Sequence, residues 1–127
     1  MGDNASKAIL IVDDSSTMRR ILRVTLSKCG FVNITEAGDG DEALAKCKAA
    51  QFDCVLTDWN MPKMPGLDFV IAVRKEPNYE KIPIVMVTTE GCKSDVLEAL
   101  TNGVSSYIVK PFTEDIVRVQ MARFFPS

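Results

Sequence analysis

Asp13, Asp14, Asp58, Thr88 and Lys110 each stand where an apolar run of the chain stops. Asp13 and Asp14 close Ala8-Ile9-Leu10-Ile11-Val12, and Asp58 closes Cys54-Val55-Leu56-Thr57. Thr88 closes Ile84-Val85-Met86-Val87, and Lys110 closes Tyr107-Ile108-Val109. Three carboxylates about 5 Å apart repel by roughly 3 kcal/mol per pair at an effective dielectric near 20, so such a cluster needs a cation. Lys110 supplies one positive charge. Mg²⁺, which accepts carboxylate oxygens while keeping waters and open positions, suits the remainder. A carboxylate beside Mg²⁺ and a lysine can attack phosphorus and become an acyl phosphate, and Asp58, alone at its strand end, is the candidate nucleophile. Its product raises the local charge from −1 to about −2, which Lys110 can pair with and the Thr88 hydroxyl can donate to.

For these five residues to meet, the runs that precede them must be parallel neighbours in one sheet. Each run has the length and β-branched content of a buried strand. Open α/β sheets bind ligands at the carboxyl ends of their strands, so parallel pairing gathers all five residues at one edge. Helical period fills the gaps. Met18, Ile21, Leu22, Leu26 and Cys29 form a stripe that Ser15 or Ser16 can cap and Gly30 can end. Val32 to Ala37 reads as a second strand. Residues 41–50, 67–75, 94–102 and 113–125 read as further helices, with 94–102 ended by Gly103. Five alternating βα units predict an α/β fold with a five-stranded parallel sheet and helices on both faces. The loop Asp58-Trp59-Asn60-Met61-Pro62-Lys63-Met64-Pro65-Gly66 borders the acidic cluster, and its Pro65-Gly66 pair predicts a type II turn with positive φ at Gly66.

A length of 127 residues predicts one domain. With 15 basic and 17 acidic residues the net charge is −2, which offers no field suited to a nucleic acid backbone. There is no histidine, so histidine-activated nucleophiles, histidine-ligated zinc and a phosphohistidine of the chain's own are excluded. Cys29, Cys47, Cys54 and Cys92 match no zinc or redox spacing and read as small core residues of a cytoplasmic protein. No apolar stretch suits a signal peptide or a membrane span. The acylation pattern at Met1 to Ser6 and the sequons at Asn4 and Asn33 are short patterns of high chance frequency.

The double aspartate Asp13-Asp14, the segment Asp58-Trp59-Asn60-Met61-Pro62, Thr88 with Glu90, Tyr107 and Lys110-Pro111-Phe112 closely resemble the receiver domains of bacterial two-component response regulators. The resemblance covers nearly the whole chain. It implies a flavodoxin-like, doubly wound (βα)5 fold and one receiver domain over residues 1–127 with no effector domain. Asp58 would be the phosphoacceptor, with Asp13, Asp14, Asp58 and the Asn60 backbone carbonyl holding Mg²⁺. Lys110 would bind the phosphoryl group through a cis Lys110-Pro111 peptide, Thr88 would swing toward that group, and Tyr107 would change rotamer. Asn60, Thr89 and Glu90 would tune dephosphorylation. Such a protein is a phosphorylation-activated switch that promotes only its own phosphoryl chemistry. Its implied partners are a histidine kinase as phosphodonor and, in chemotaxis, the flagellar motor switch protein, met through the fourth helix, fifth strand and fifth helix. A phosphatase is a further candidate partner, and a monomer is expected. Thr89 and Pro65 depart from the commonest family pattern without touching the acceptor or its ligands.

Other readings carry less of the sequence. Gly38-Asp39-Gly40-Asp41-Glu42-Ala43 imitates a dinucleotide fingerprint, but its acids would surround a pyrophosphate with negative charge. A haloacid-dehalogenase-like phosphatase also forms an aspartyl phosphate. It would need an acid-base carboxylate two residues after its nucleophile, where this chain has Asn60. Within the receiver family, a phosphate sink or phosphorelay intermediate is the alternative to a motor-binding regulator.

Overall fold

The structure, a computed structural model, describes residues 4–126; the first three residues of the acylation pattern and Ser127 lie outside the described residues. The four apolar runs form β1 (Ala8–Val12), β3 (Cys54–Thr57), β4 (Ile84–Thr88) and β5 (Ser106–Val109), and the expected second strand forms β2 (Asn33–Ala37). They alternate with α1 (Ser16–Lys28), α2 (Gly40–Ala49), α3 (Gly66–Arg74), α4 (Lys93–Thr101) and α5 (Glu114–Phe124). The strands pair in parallel in the order β2-β1-β3-β4-β5. This is the flavodoxin-like order, and the chain reverses its winding between β1 and β3, the switch point where such sheets take ligands. Single 3-10 turns at Asn4–Ser6 and Pro77–Tyr79 were not foreseen by the periodicity.

Side-chain alternation along the strands divides the core in two. Leu10, Val12, Val55, Ile84 and Met86 face Ala43 and Cys47 of α2, Phe69, Val70 and Val73 of α3 and Ala99 of α4. Ile9, Ile11, Cys54, Leu56, Val85, Val87 and Ile108 face Leu22 and Leu26 of α1 and Val117 and Met121 of α5. The central strands β1, β3 and β4 are buried along almost their whole length, which explains why they read as unbroken apolar runs.

Local chemistry sets the helix ends. Ser15, Asp39 and Thr113 cap α1, α2 and α5 by accepting the N–H of Met18, Glu42 and Ile116. Gly30 and Gly103, at φ 97 and 108, turn the chain out of α1 and α4. At the end of the sheet opposite the acids, the half-buried Arg74 donates to the carbonyls of Tyr79, Glu80, Ile82 and Gly103 and to Ser105 Oγ. That single guanidinium ties α3 to the turns entering β4 and β5.

Two expectations are corrected. Gly66 does not adopt a positive φ; it is the first residue of α3, and a Cβ there would lie 1.9 Å from the Asp58 carbonyl oxygen. Glycine is needed for this close approach and not for a type II turn. The positive φ in the loop falls on Lys63, at 68°, where Met64 N–H donates to Pro62 O at 2.7 Å in a three-residue γ-turn. Of the four cysteines, only Cys47 and Cys54 are core residues, since Cys29 is half-buried and Cys92 exposed. Cys92 precedes α4 directly and its thiol contacts Ser94 and Asp95.

Gly66→Ala tests the close approach. The added methyl must push α3 away from the loop that carries Asp58, so a loss of about 3 kcal/mol in urea unfolding is expected, at the upper end of ordinary overpacking.

Candidate functional site

The strand ends deliver the site through the main chain. Beyond the last paired residues the ladder continues: Asp13 N–H donates to Ala37 O at 3.1 Å, Asp58 N–H to Val12 O at 2.9 Å and Lys110 N–H to Thr88 O at 2.8 Å. The backbones of Asp13, Asp58 and Lys110 are therefore fixed by the sheet before their side chains interact. Carboxylate oxygens of Asp13, Asp14 and Asp58 lie within 4.8 Å of one another. Asp13 and Asp58 are 1% and 8% exposed, whereas Asp14 faces solvent.

Lys110 Nζ donates to Asp13 Oδ2 at 2.9 Å and to Asp58 Oδ2 at 3.0 Å. Burial alone would lower the ammonium's pKa, but the hydrogen bonds to Asp13 and Asp58 and the charge of both carboxylates outweigh it and hold the group above the usual lysine range. Asp58 Oδ1 accepts the N–H of Trp59 at 2.6 Å and, more weakly, that of Asn60 at 3.4 Å. Asp13 Oδ1 accepts the N–H of Ser15 at 2.9 Å, an Asx-turn that the Asp-Asp-Ser-Ser segment could have signalled.

Three carboxylates against one ammonium leave two formal negative charges in a half-enclosed site. A hard divalent cation matches that deficit, and an all-oxygen donor set with one solvent-facing acid fits Mg²⁺ with some waters retained.

Thr88 and Tyr107, the residues expected to move, lie on the next two strands. Thr88 is fully buried at the end of β4, and its Oγ1 accepts the Glu90 N–H at 3.4 Å. Tyr107 is half-buried on β5 and its hydroxyl donates to the Glu90 carbonyl. Burial first, and then the charges of Asp95 and Glu90, push the Tyr107 phenol up to about 12. Thr89 is exposed. The sequence does not reveal that Asn60 Nδ2 donates to Glu90 Oε2 at 3.0 Å, a bridge between the Asp58 loop and the β4–α4 loop. Nor does it reveal that Arg19 Nη1 donates to the Asp13 carbonyl at 2.6 Å. The Lys110-Pro111 peptide is cis.

The dinucleotide-like segment is occupied by its own acids. Asp39 accepts the Glu42 N–H and Glu42 accepts the Gly38 N–H, both at 2.8 Å, taking the donors a pyrophosphate would need.

The profile of the response regulator receiver domain matches residues 9–121. The chain is 50% identical to chemotaxis protein CheY1 of Helicobacter pylori over 114 residues, covering 89% of this chain and 92% of that protein. It is 44% identical to chemotaxis protein CheY of Pseudomonas aeruginosa over 117 residues, 92% of this chain and 94% of that one. The crystallised chemotaxis response regulator CheY4 of Vibrio cholerae superposes with a TM-score of 0.86 at 38% identity, covering 93% of this chain and 98% of its own.

Because the N–H of Trp59, the only tryptophan, rests on Asp58, adding Mg²⁺ is expected to change its fluorescence. Asp14→Asn, which removes one charge from the cluster, is expected to move the midpoint to about tenfold or more higher Mg²⁺ concentration. An unchanged midpoint removes Asp14 from the ligand set.

Proposed function

From the premise that this chain belongs to the response regulator receiver domain family, and within it to the CheY type of chemotaxis regulators, we propose that it is a phosphorylation-activated switch whose acceptor is Asp58. The observation that carries this reading is the half-buried Lys110 ammonium bridging Asp13 and Asp58 beside the exposed Asp14. A signalling receiver is not an enzyme in the ordinary sense, and the dinucleotide and dehalogenase-like readings are set aside with that membership.

In this reading an Asp58 carboxylate oxygen attacks the phosphorus of a phosphohistidine. The P–N bond breaks, its electron pair stays on the donor imidazole, and an acyl phosphate forms on Asp58. With no histidine in the chain, the donor is a partner histidine kinase. Asp13, Asp14, Asp58 and the Asn60 carbonyl would hold Mg²⁺, which when bound supplies positive charge to the phosphoryl oxygens. Lys110, already bonded to Asp58 Oδ2, follows the growing negative charge, and Thr88 turns its hydroxyl to a phosphoryl oxygen. That movement withdraws the acceptor from Glu90 N–H and alters the space beside Tyr107.

The output would be a protein contact in the cytoplasm. Leu97 and Leu100 of α4, Val109 of β5 and Ile116 and Val119 of α5 are exposed apolar side chains on neighbouring elements. They make a docking face for a flagellar motor switch protein, with Tyr107 at its root. The exposed Asn60 and Thr89, with Glu90 beside them, border the acceptor where a phosphatase or an attacking water would approach.

Two measurements test the proposal. Asp58→Asn is expected to abolish Mg²⁺-dependent labelling by a small phosphodonor; full-stoichiometry labelling of that variant sinks the acceptor assignment. A stable phosphate mimic is expected to tighten binding of a motor-switch peptide about 5- to 150-fold, the usual 1–3 kcal/mol of coupling. Thr88→Ala should keep the labelling and shrink that ratio. Equal affinities in calorimetry would favour a phosphate sink or relay intermediate.

A further inference from the structure

Arg19, one turn into α1, points back to the strand end that carries the acids. Its Nη1 donates to the Asp13 carbonyl at 2.6 Å while its Nε pairs with Glu36 Oε1 at 2.9 Å. Glu36, on the edge strand β2, receives Arg23 Nε on its other oxygen at 2.8 Å. Arg23 also donates to the Ile34 carbonyl and Lys46 of α2 to the Glu36 carbonyl, so two arginines of α1 hold the Glu36 carboxylate while α2 holds its backbone. The Arg23 hydrogen bond first, and then that of Arg19, keep Glu36 ionised by holding its pKa below the usual range against the opposing effect of burial.

We propose that Arg19 is a positioning residue for the cation site: anchored by Glu36, it fixes the peptide between Asp13 and Asp14 and so sets the direction of both acids. This rests on the reading of that site as a Mg²⁺ site. The peptide carbonyl it holds is the one link shared by the two neighbouring carboxylates, and no other side-chain donor reaches that carbonyl among the described residues. Charge alone would not select this arrangement, because a guanidinium beside a cation site repels the cation. Glu36 offsets that repulsion without releasing the geometry. Outer-shell groups of this kind commonly change metal affinity by one to two powers of ten.

The sign of the effect separates positioning from electrostatics and from mere stapling of α1 to β2. Mg²⁺ is titrated into the wild type, Arg19→Met and Arg19→Lys with Trp59 fluorescence as the readout. Urea unfolding and the ¹⁵N shift of the Asp14 amide are measured without metal. Arg19→Met is expected to weaken Mg²⁺ about tenfold although it removes a positive charge. Arg19→Lys is expected to weaken it as well, because an ammonium lacks the planar fork that holds Glu36 and the carbonyl together. The Asp14 amide shift should move in both. Unchanged or tighter Mg²⁺ binding in both variants overturns the proposal whatever the stability change, and Arg19→Lys alone decides if Arg19→Met does not fold. A wild type with no Mg²⁺ response overturns the underlying Mg²⁺ reading and this inference with it.

Discussion

One ammonium lies 2.9 and 3.0 Å from carboxylates on two different strand ends, and the chemistry-bearing edge of the sheet is organised around that charge. Asp13 and Asp58 are nearly removed from water, where an unpaired carboxylate costs several kcal/mol. Lys110 makes their burial tolerable. It can do so only because β5 is parallel to β4 and β4 to β3, so that strand ends distant in sequence open on the same side. The lysine neutralises one of three negative charges and leaves the cluster deficient in positive charge. The same interaction thus makes the burial of two acids tolerable and leaves a charge deficit of the size a divalent cation carries.

From this edge a continuous set of contacts leads outward through Glu90. Its carboxylate accepts from Asn60, its N–H donates to Thr88 and its carbonyl accepts from Tyr107. One residue therefore touches the loop after Asp58, the end of β4 and the aromatic of β5. A rearrangement at Thr88 cannot leave Glu90 undisturbed, and a shift of Glu90 moves the acceptor that holds the Tyr107 hydroxyl. A route of this kind is a physical connection and becomes a switch only if two arrangements compete along it.

The strands were legible because burial on both faces removes polar interruption, so β1 and β3 appear in the sequence with the bounds they have in the fold. The acids, Thr88 and Lys110 were legible because each ends such a run. Capping moved helix boundaries by a residue, as at α5, where Thr113 is the cap and not the first helical residue. What the sequence hid depends on distance along the chain. Asn60 meets Glu90 across 30 positions, and Arg74 meets Gly103 across 29, with no periodic signal joining them. Gly66 was misread because a tight turn and a close backbone approach both require glycine, and only the position of the Asp58 carbonyl separates them.

The proposed docking face bears on how large a switch this fold can support. Leu97, Val109 and Val119 are exposed while Tyr107 is half-buried and bonded to Glu90, so the apolar area is not released by opening the core. In the proposed switch, rotation of one aromatic and movement of one loop would change a few contacts at the root of this face, and Gly91, where a Cβ would lie 3.1 Å from both Val109 methyls, shows how closely that loop follows β5. A ligand shifts an equilibrium only by its differential affinity for the two states. A rearrangement of this extent is therefore matched to a coupling of about 1–3 kcal/mol, a graded preference and not an all-or-none contact.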